Sequence, residues 1–372
     1  MLQDWLAMRI ILIGYGWRSL FYYRIIKALP QRFTLVDWVL HSKERAEQVK
    51  QQYHASTSWN VLVSLDCPHD LVVLCVPSSS LQSLLPTLIE CGETILCETG
   101  FTQLPLETLT SLYRAYAQSQ SRVFVAEQYV RYPYFQTCDA LRPLLGPATE
   151  VHAACLHDHH GTSIIRHFLG EKGGNCSICA SSRTSWIVKT GGREGVDTEG
   201  IRIKTKHTAA TLEFEDGKTG YFDFADVAYH SSIRSRHFAL SGERGEIFDD
   251  AVRYLNTENE GIFQTIQRIE DGVTNNSPLS LRAMAFGDTY HFRNPYWPLG
   301  FNDDEIALAL CLEEASQGKG YSLSEALQDS YLAQCIHRSC NEKKIIETQT
   351  QNWAEAFSRE KEQQRPEQWN PS

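Results

Sequence analysis

Residues 9–19 read Arg-Ile-Ile-Leu-Ile-Gly-Tyr-Gly-Trp-Arg-Ser. Four apolar residues, Ile10 to Ile13, run straight into Gly14-Tyr15-Gly16, and an apolar-rich stretch from Ser19 to Leu29 follows, stopped by Pro30. A short apolar run ending in glycines reads as a buried strand, and the stretch behind it as a helix. In such a turn one glycine permits the reversal. The next lets backbone amides at the helix N-terminus approach a pyrophosphate. Ser19 stands where a third glycine is usual and is small enough to pack nearly as closely. Two glycines also serve a purely structural strand–helix turn, so the surrounding pattern has to decide between the readings.

That pattern is an alternation. FTLVDWVLH (33–41) reads as a second strand and SKERAEQVKQQY (42–53) as a polar helix. DLVVLCV (70–76) is a fully apolar strand. It leads into SSSLQSLLPTLIECG (78–92), where Leu81, Leu84, Leu85, Leu88 and Ile89 recur at helical spacing and Pro86 is expected to kink the helix or shift its start. TILCE, a helix near Glu107–Gln118, and RVFVAEQ continue the rhythm. Strands buried on both faces and separated by helices predict a parallel sheet covered on both sides. After about residue 145 the stretches TEVHAACLH, IRIKTKHTAATLEFEDG, KTGYFDFADVAYH and RHFALSGERGEIFDD are long, alternating and broken by glycine turns, which predicts an antiparallel sheet. Helices are expected at 304–317 and 324–338. The expected organisation is a dinucleotide-binding Rossmann domain over 1–130, a substrate-binding and oligomerisation α/β domain over 131–345, and a polar tail over 346–372, either loose or a late docking helix. The fold class is α/β: a Rossmann domain, then an α+β domain with a large, mostly antiparallel open sheet.

Composition narrows the function. The chain has 372 residues, 42% hydrophobic and 22% charged, as expected of a globular protein of about two domains. A formal net charge of −10 argues against a nucleic-acid or anionic-membrane partner. No apolar run reaches the roughly 20 residues needed to span a bilayer. The N-terminus lacks the basic region and cleavage site of a signal peptide. Eleven cysteines, odd in number and scattered, suit reduced thiols and a cytoplasmic location. Cys176 and Cys179 form a CxxC with no second pair at zinc-ribbon spacing, so no metal is expected.

In order along the chain, GYGWRS, VVLCVPSSS, GETILCETG, EQYVRYP, HHGTSIIRHFLG, GERGEI and FNDDEIALA resemble segments of the Gfo/Idh/MocA oxidoreductases, a likeness running through most of residues 8–345. The resemblance implies NAD or NADP as cofactor. It also implies hydride transfer to or from a hydroxyl or carbonyl carbon of a sugar, polyol or glycoside-like substrate, and a homo-oligomer, dimer or tetramer. It departs from the family pattern at several points. Thr99 and Gly100 stand where a Glu-Lys-Pro turn has its lysine and proline, Leu81 and Leu156 replace a histidine and an aspartate, and Ser163 replaces the aspartate three residues after the histidine. His160 matches the family histidine.

The expected cofactor residues are Gly14, Gly16, Trp17 and Arg18 of the first turn, Pro77, Glu98, Thr99 and Gln128 of later turns, and His41, Ser42 and Lys43 after the second strand. No carboxylate occupies 39–43, where an acidic residue would bind the ribose 2′-hydroxyl of NAD, which tilts the reading toward NADP. The expected catalytic residues are His160, with His157 and Asp158 beside it. The positive end of a helix disfavours imidazolium, so a neutral base near pH 7 is expected at His160. Tyr129 and Arg131, and a row of His230, Arg234 and Arg236 on a strand, are further candidates near substrate. Two alternatives share the fold: a non-catalytic NAD(P)-binding sensor, and a glycoside-cleaving enzyme using tightly bound NAD transiently.

Overall fold

Ile10, Ile11 and Leu12 have no solvent exposure at all, because the first strand lies at the middle of a sheet rather than at its edge. The computed structural model describes residues 7–154, 156–192, 194–271 and 279–357. Two compact units divide the chain, Met1–Leu144 with Asp250–Leu323, and Leu145–Asp249 with Ser324–Ser372.

The first unit begins with β1 (Met8–Ile13), α1 (Trp17–Ala28), β2 (Phe33–Val39), α2 (Lys43–Tyr53), β3 (Thr57–Ser58), α3 (Val61–Leu65), β4 (Leu71–Leu74), α4 (Ser78–Glu90), β5 (Thr94–Cys97), α5 (Leu106–Ala117), β6 (Arg122–Val125) and α6 (Pro133–Leu145). The strands pair in parallel in the order β3-β2-β1-β4-β5-β6, so the order reverses between β1 and β4. In open α/β sheets ligands bind at the carboxyl ends of the strands beside such a switch point. The expected parallel sheet is therefore present. Helix α4 runs through Pro86; the carbonyl that loses its helical partner belongs to exposed Gln82, where water is available. Helix α6 has no counterpart in the sequence reading, since Pro133 and Pro143 hide its pattern.

The second unit carries β7 (Ala148–Ala154), α7 (Asp158–Leu169), β8 (Cys176–Val188), the short hairpin β9 (Gly191–Gly192) and β10 (Gly195–Val196), β11 (Arg202–Phe214), β12 (Thr219–Ala225), β13 (His237–Gly242) and β14 (Gly245–Phe248). Strands β15 (Ala251–Leu255), β16 (Gly261–Asp271), β17 (Ser280–Phe286) and β18 (Thr289–Arg293) return to the first unit as an antiparallel meander, followed by α8 (Asp303–Ser316). Helix α9 (Leu323–Glu342) and β19 (Ile346–Glu347) lead back to the second. In the second unit the strand order is β14-β13-β7-β12-β11-β8-β19, antiparallel throughout except for β12 on β7. The large, mostly antiparallel sheet is as expected.

One expectation fails locally. Val227 to Ser231 fold into turns closed by amide bonds such as His230 N to the Val227 carbonyl (3.1 Å), so His230, Arg234 and Arg236 lie between β12 and β13 and not on a strand. Of the expected polar tail, the segment 346–357 is docked: β19 pairs with β8, and Trp353 is fully buried, its indole N–H donating to Gln328 Oε1 (2.8 Å). The apolar ring outweighs the polar residues around it. The rest of the expected tail, 358–372, lies outside the described residues.

Candidate functional site

The first unit gathers most of the expected cofactor residues at the carboxyl ends of its parallel strands. Gly14 and Gly16 follow β1, Pro77 follows β4 as N-cap of α4, Glu98 and Thr99 follow β5, and Gln128 follows β6. The two glycines answer to different causes. Gly14 has φ +106°, and a Cβ there would lie 2.1 Å from the Cys75 carbonyl oxygen, so the fold itself demands glycine. Gly16, the N-cap of α1, has φ −168°, which any residue adopts, and a Cβ there would meet nothing within 4 Å. Neither backbone nor packing calls for glycine at Gly16. Open space before the free amides of a helix N-terminus is what a pyrophosphate requires.

Arg18 is turned into the protein. Its guanidinium lies 3.6 Å from Glu98 and 3.5 Å from Asp304, and Gln128 accepts from Arg18 Nη2 (3.1 Å) while donating to the Ala126 carbonyl (2.8 Å). Tyr22 donates to Glu98 (2.7 Å) and Tyr132 to Asp304 (2.8 Å). Burial works against the arginine's charge, but the carboxylates of Glu98 and Asp304 outweigh it and raise its pKa. Burial also pushes the Glu98 carboxyl above its ordinary range, against the pull of Arg18 and Tyr22. Glu98, Arg18 and Gln128 thus tie the first turn to the ends of β5 and β6. Trp17 is half-exposed beside them, with the Arg18 guanidinium 4.5 Å from its ring centroid. Tyr22, Asp304 and Tyr132 were not foreseen. Arg131 is paired with Glu314 at 2.8 Å, and Tyr129 packs on Tyr132.

After β2, His41 is exposed, Ser42 caps α2 by accepting from the Arg45 amide (3.2 Å), and Lys43 lies over Trp59 (5.6 Å). The Arg45 guanidinium stands 4.2 Å over the Tyr15 ring, in the glycine turn itself. One carboxylate is near, Glu44, and it is engaged at the start of α2, where a backbone amide and the Ser42 hydroxyl hold its pKa below the usual range. Asp37 is buried and accepts from Ser56 and Ser64, so its role is structural.

The second unit holds the histidine cluster. Helix α7 lies close against the sheet because Gly161 faces the Phe222 ring and Gly220 faces Ile165; a Cβ at either glycine would come within 2.5 Å of its neighbour. His157 is the N-cap, Asp158 begins the helix with φ +41°, and His159 and His160 follow, buried. The rings of His159 and His160 have centroids 4.0 Å apart, and those of His157 and His160 are 4.9 Å apart. Burial drives the His159 pKa well below its ordinary value, helped by the neighbouring imidazoles, so His159 is neutral near pH 7. At the other end of α7, the buried Arg166 pairs with the buried Asp329 of α9 and donates to the Glu325 carbonyl (3.2 Å). His337 of α9 bonds the Asp158 carboxylate (2.7 Å). The structure places His157, Asp158 and His160, the residues singled out from the sequence, together at the start of α7. The sequence reading missed His337 and Asp329, which only the fold brings to α7. Cys176 and Cys179 point to opposite faces of β8, one buried and one exposed.

No family model matches the sequence, and no curated protein matches it. Solved structures do match. An oxidoreductase from Agrobacterium radiobacter, in complex with NAD+, L-tartaric acid and magnesium, has TM-score 0.66 at 11% identity, over 91% of this chain and 98% of that one. Levoglucosan dehydrogenase, in complex with NADH and L-sorbose, has TM-score 0.65 at 14% identity, over 93% of this chain and 100% of that one. The transcriptional regulator Gal80p from Kluyveromyces lactis has TM-score 0.63 at 12% identity, over 93% and 95%. At such identities the likeness is one of fold, and this chain has the fold of the Gfo/Idh/MocA oxidoreductases.

Proposed function

We propose that the protein is an NAD(P)-dependent oxidoreductase acting on a hydroxyl or carbonyl carbon of a sugar, polyol or glycoside-like molecule. The observation that carries the reading is Gly16: a glycine required by neither backbone nor packing, with open space before α1, at the switch point of a parallel sheet. The amides at the start of α1 hold the pyrophosphate, and the turns at Pro77 and at Glu98–Thr99 border the nicotinamide. A bound nicotinamide supplies the hydride chemistry. His41, Lys43 and Arg45, with Glu44 engaged at its own helix, favour a 2′-phosphate and hence NADP(H).

The histidine cluster takes or returns the hydroxyl proton, with His160 and His157 as the proton-transfer groups. Two structure neighbours were crystallised with small polyhydroxylated ligands, L-tartaric acid and L-sorbose, which supports the substrate class. Exposed Trp186, Val188 and Tyr221 on the strands of the second unit support a homo-oligomer, and ten free cysteines among the described residues support a cytoplasmic location. Among the described residues no helix is long and apolar enough to cross a membrane.

One observation favours a second reading. Thr99 offers no ammonium where the resembling family has its lysine, and Gal80p shows that a regulator can have this fold. A cofactor-binding sensor would show such a loss. The deciding experiment is single-turnover hydride transfer on substrates found by screening sugars, polyols and glycosides. A positioned acid–base side chain is worth about 10²–10⁴-fold in rate, so His160→Asn should cost that much with cofactor affinity unchanged, and Thr99→Ala far less. Wild-type rates in His160→Asn would remove His160 from the mechanism. No turnover of any substrate, with a protein partner binding only the cofactor-loaded form, would leave the sensor.

A further inference from the structure

The Asp158 carboxylate lies between two imidazoles. One oxygen is 3.3 Å from His157 Nδ1 and the other 2.7 Å from Nε2 of His337, a residue 179 positions away on α9. The carboxylate is also held in an uncommon backbone conformation: φ is +41°, on the first residue of a helix, in a side chain that is neither glycine nor asparagine. Positive φ at a residue of this type costs free energy and persists only where the surroundings over-determine it. Here two contacts do so. The His157 amide donates to the Tyr229 hydroxyl (3.2 Å), fixing the residue before, and His337 grips the carboxylate from the opposite helix. Burial works against the Asp158 charge, but the bonds from His157 and His337 outweigh it and hold its pKa well below the carboxylate range. The group is an anion at every working pH, and an anion accepts hydrogen bonds only.

From this follows an assignment that rests on the proposed oxidoreductase reading. We propose that Asp158 and His337 are positioning residues that fix His157 as its Nδ1–H tautomer and thereby present its bare Nε2 as the proton acceptor toward substrate. A carboxylate at Nδ1 leaves Nε2 as the only lone pair of a neutral imidazole. The His157 side chain is 39% exposed, so that lone pair belongs to an accessible ring, whereas His159 and His160 beside it are buried. The groups facing His157 from the elements around it are His159 and His160 on its own helix, Tyr229 and Phe224 from β12 and the turn after it, and Asp158. Among these neighbours Asp158 alone carries a negative charge. His337 acts at one remove: its Nε2–H holds the Asp158 carboxylate, which in turn bonds His157 Nδ1.

The test is ¹⁵N NMR of the full chain labelled at histidine, with the His157 and His337 signals identified by their loss in His157→Gln and His337→Gln. At pH 8 His157 should show the pattern of a protonated Nδ1 and bare Nε2, and His337 the reverse. Asp158→Asn should abolish the His157 preference, and His337→Gln, on a half-exposed ring that any fold tolerates, should weaken it. On a turned-over substrate Asp158→Asn should lower kcat by about 10²–10⁴-fold, with Kd for the cofactor unchanged, and Asp158→Glu should recover part of it. His337→Gln should lower kcat several-fold without moving KM. A protonated Nε2 on His157 in the wild type, or wild-type kcat in Asp158→Asn despite a changed tautomer, would overturn the assignment. Failure to find any substrate would sink the oxidoreductase reading instead, and the tautomer measurement would still decide this one.

Discussion

Gly14 and Gly16 stand two residues apart in one turn, and replacing each with alanine should damage different properties. At Gly14 the new Cβ meets the Cys75 carbonyl oxygen at 2.1 Å and the carbonyl carbon at 2.9 Å, both backbone atoms at the end of β4 that cannot swing aside. The residue also has φ +106°, where an L side chain is strained at a cost of about 1–3 kcal/mol. Overpacking of a tight interior adds about 1–3 kcal/mol. Gly14→Ala should therefore lose about 2–6 kcal/mol, a large share of a total stability of about 5–15 kcal/mol. At Gly16 nothing lies within 4 Å and the backbone is extended, so alanine should cost no more than about 1 kcal/mol, chiefly for a poorer N-cap. Yet the same Cβ stands where a pyrophosphate must approach, and affinity should fall at least tenfold, about 1.4 kcal/mol. Urea denaturation gives the stabilities; calorimetric titration of the folded proteins with NADH and NADPH side by side gives the affinities. NADPH should bind wild type at least as tightly as NADH. If Gly16→Ala binds both cofactors like the wild type, the phosphate reading of this turn is wrong. If Gly14→Ala melts with the wild type, the packing argument is wrong.

Protonation of His159 and the pairing of Arg166 make two further tests. His159 has a folded pKa well below that of the unfolded chain, so below about pH 6.5 the unfolded state binds a proton the folded state does not; stability present above that pH should be lost as pH falls, approaching about 1.4 kcal/mol per pH unit until the folded pKa is reached. Denaturation series at pH 7.5, 6.5 and 5.5 should show a shallower loss for His159→Gln, and equal slopes would refute the assignment. Asp329→Ala removes the buried carboxylate that pairs with the buried Arg166, and breaking a buried pair on one side costs about 3–5 kcal/mol. An unchanged urea midpoint would show that α7 is not held by this pair.

What the sequence determined is what short-range patterns encode. Apolar runs four to six residues long, glycine turns and the helical spacing of Leu81, Leu85 and Leu88 are local, and they sufficed for the parallel sheet and the antiparallel sheet. His157, Asp158 and His160 were legible for the same reason: they fall within four residues of chain at a helix start. A local pattern also fell short where competing signals overlap, as at α6 with its two prolines. The tertiary structure decided everything that depends on pairs distant in sequence. Whether Gly14 is demanded by fold or by ligand is settled by Cys75, 61 positions away, and Gly16 gains its meaning only by contrast. Arg18, read as a cofactor contact, is committed to Glu98 and Asp304 because a buried guanidinium must find carboxylates wherever the chain brings them. His337 reaches Asp158 by the same logic: hydrogen-bond partners are chosen by proximity in space, and no periodicity along the chain records that choice.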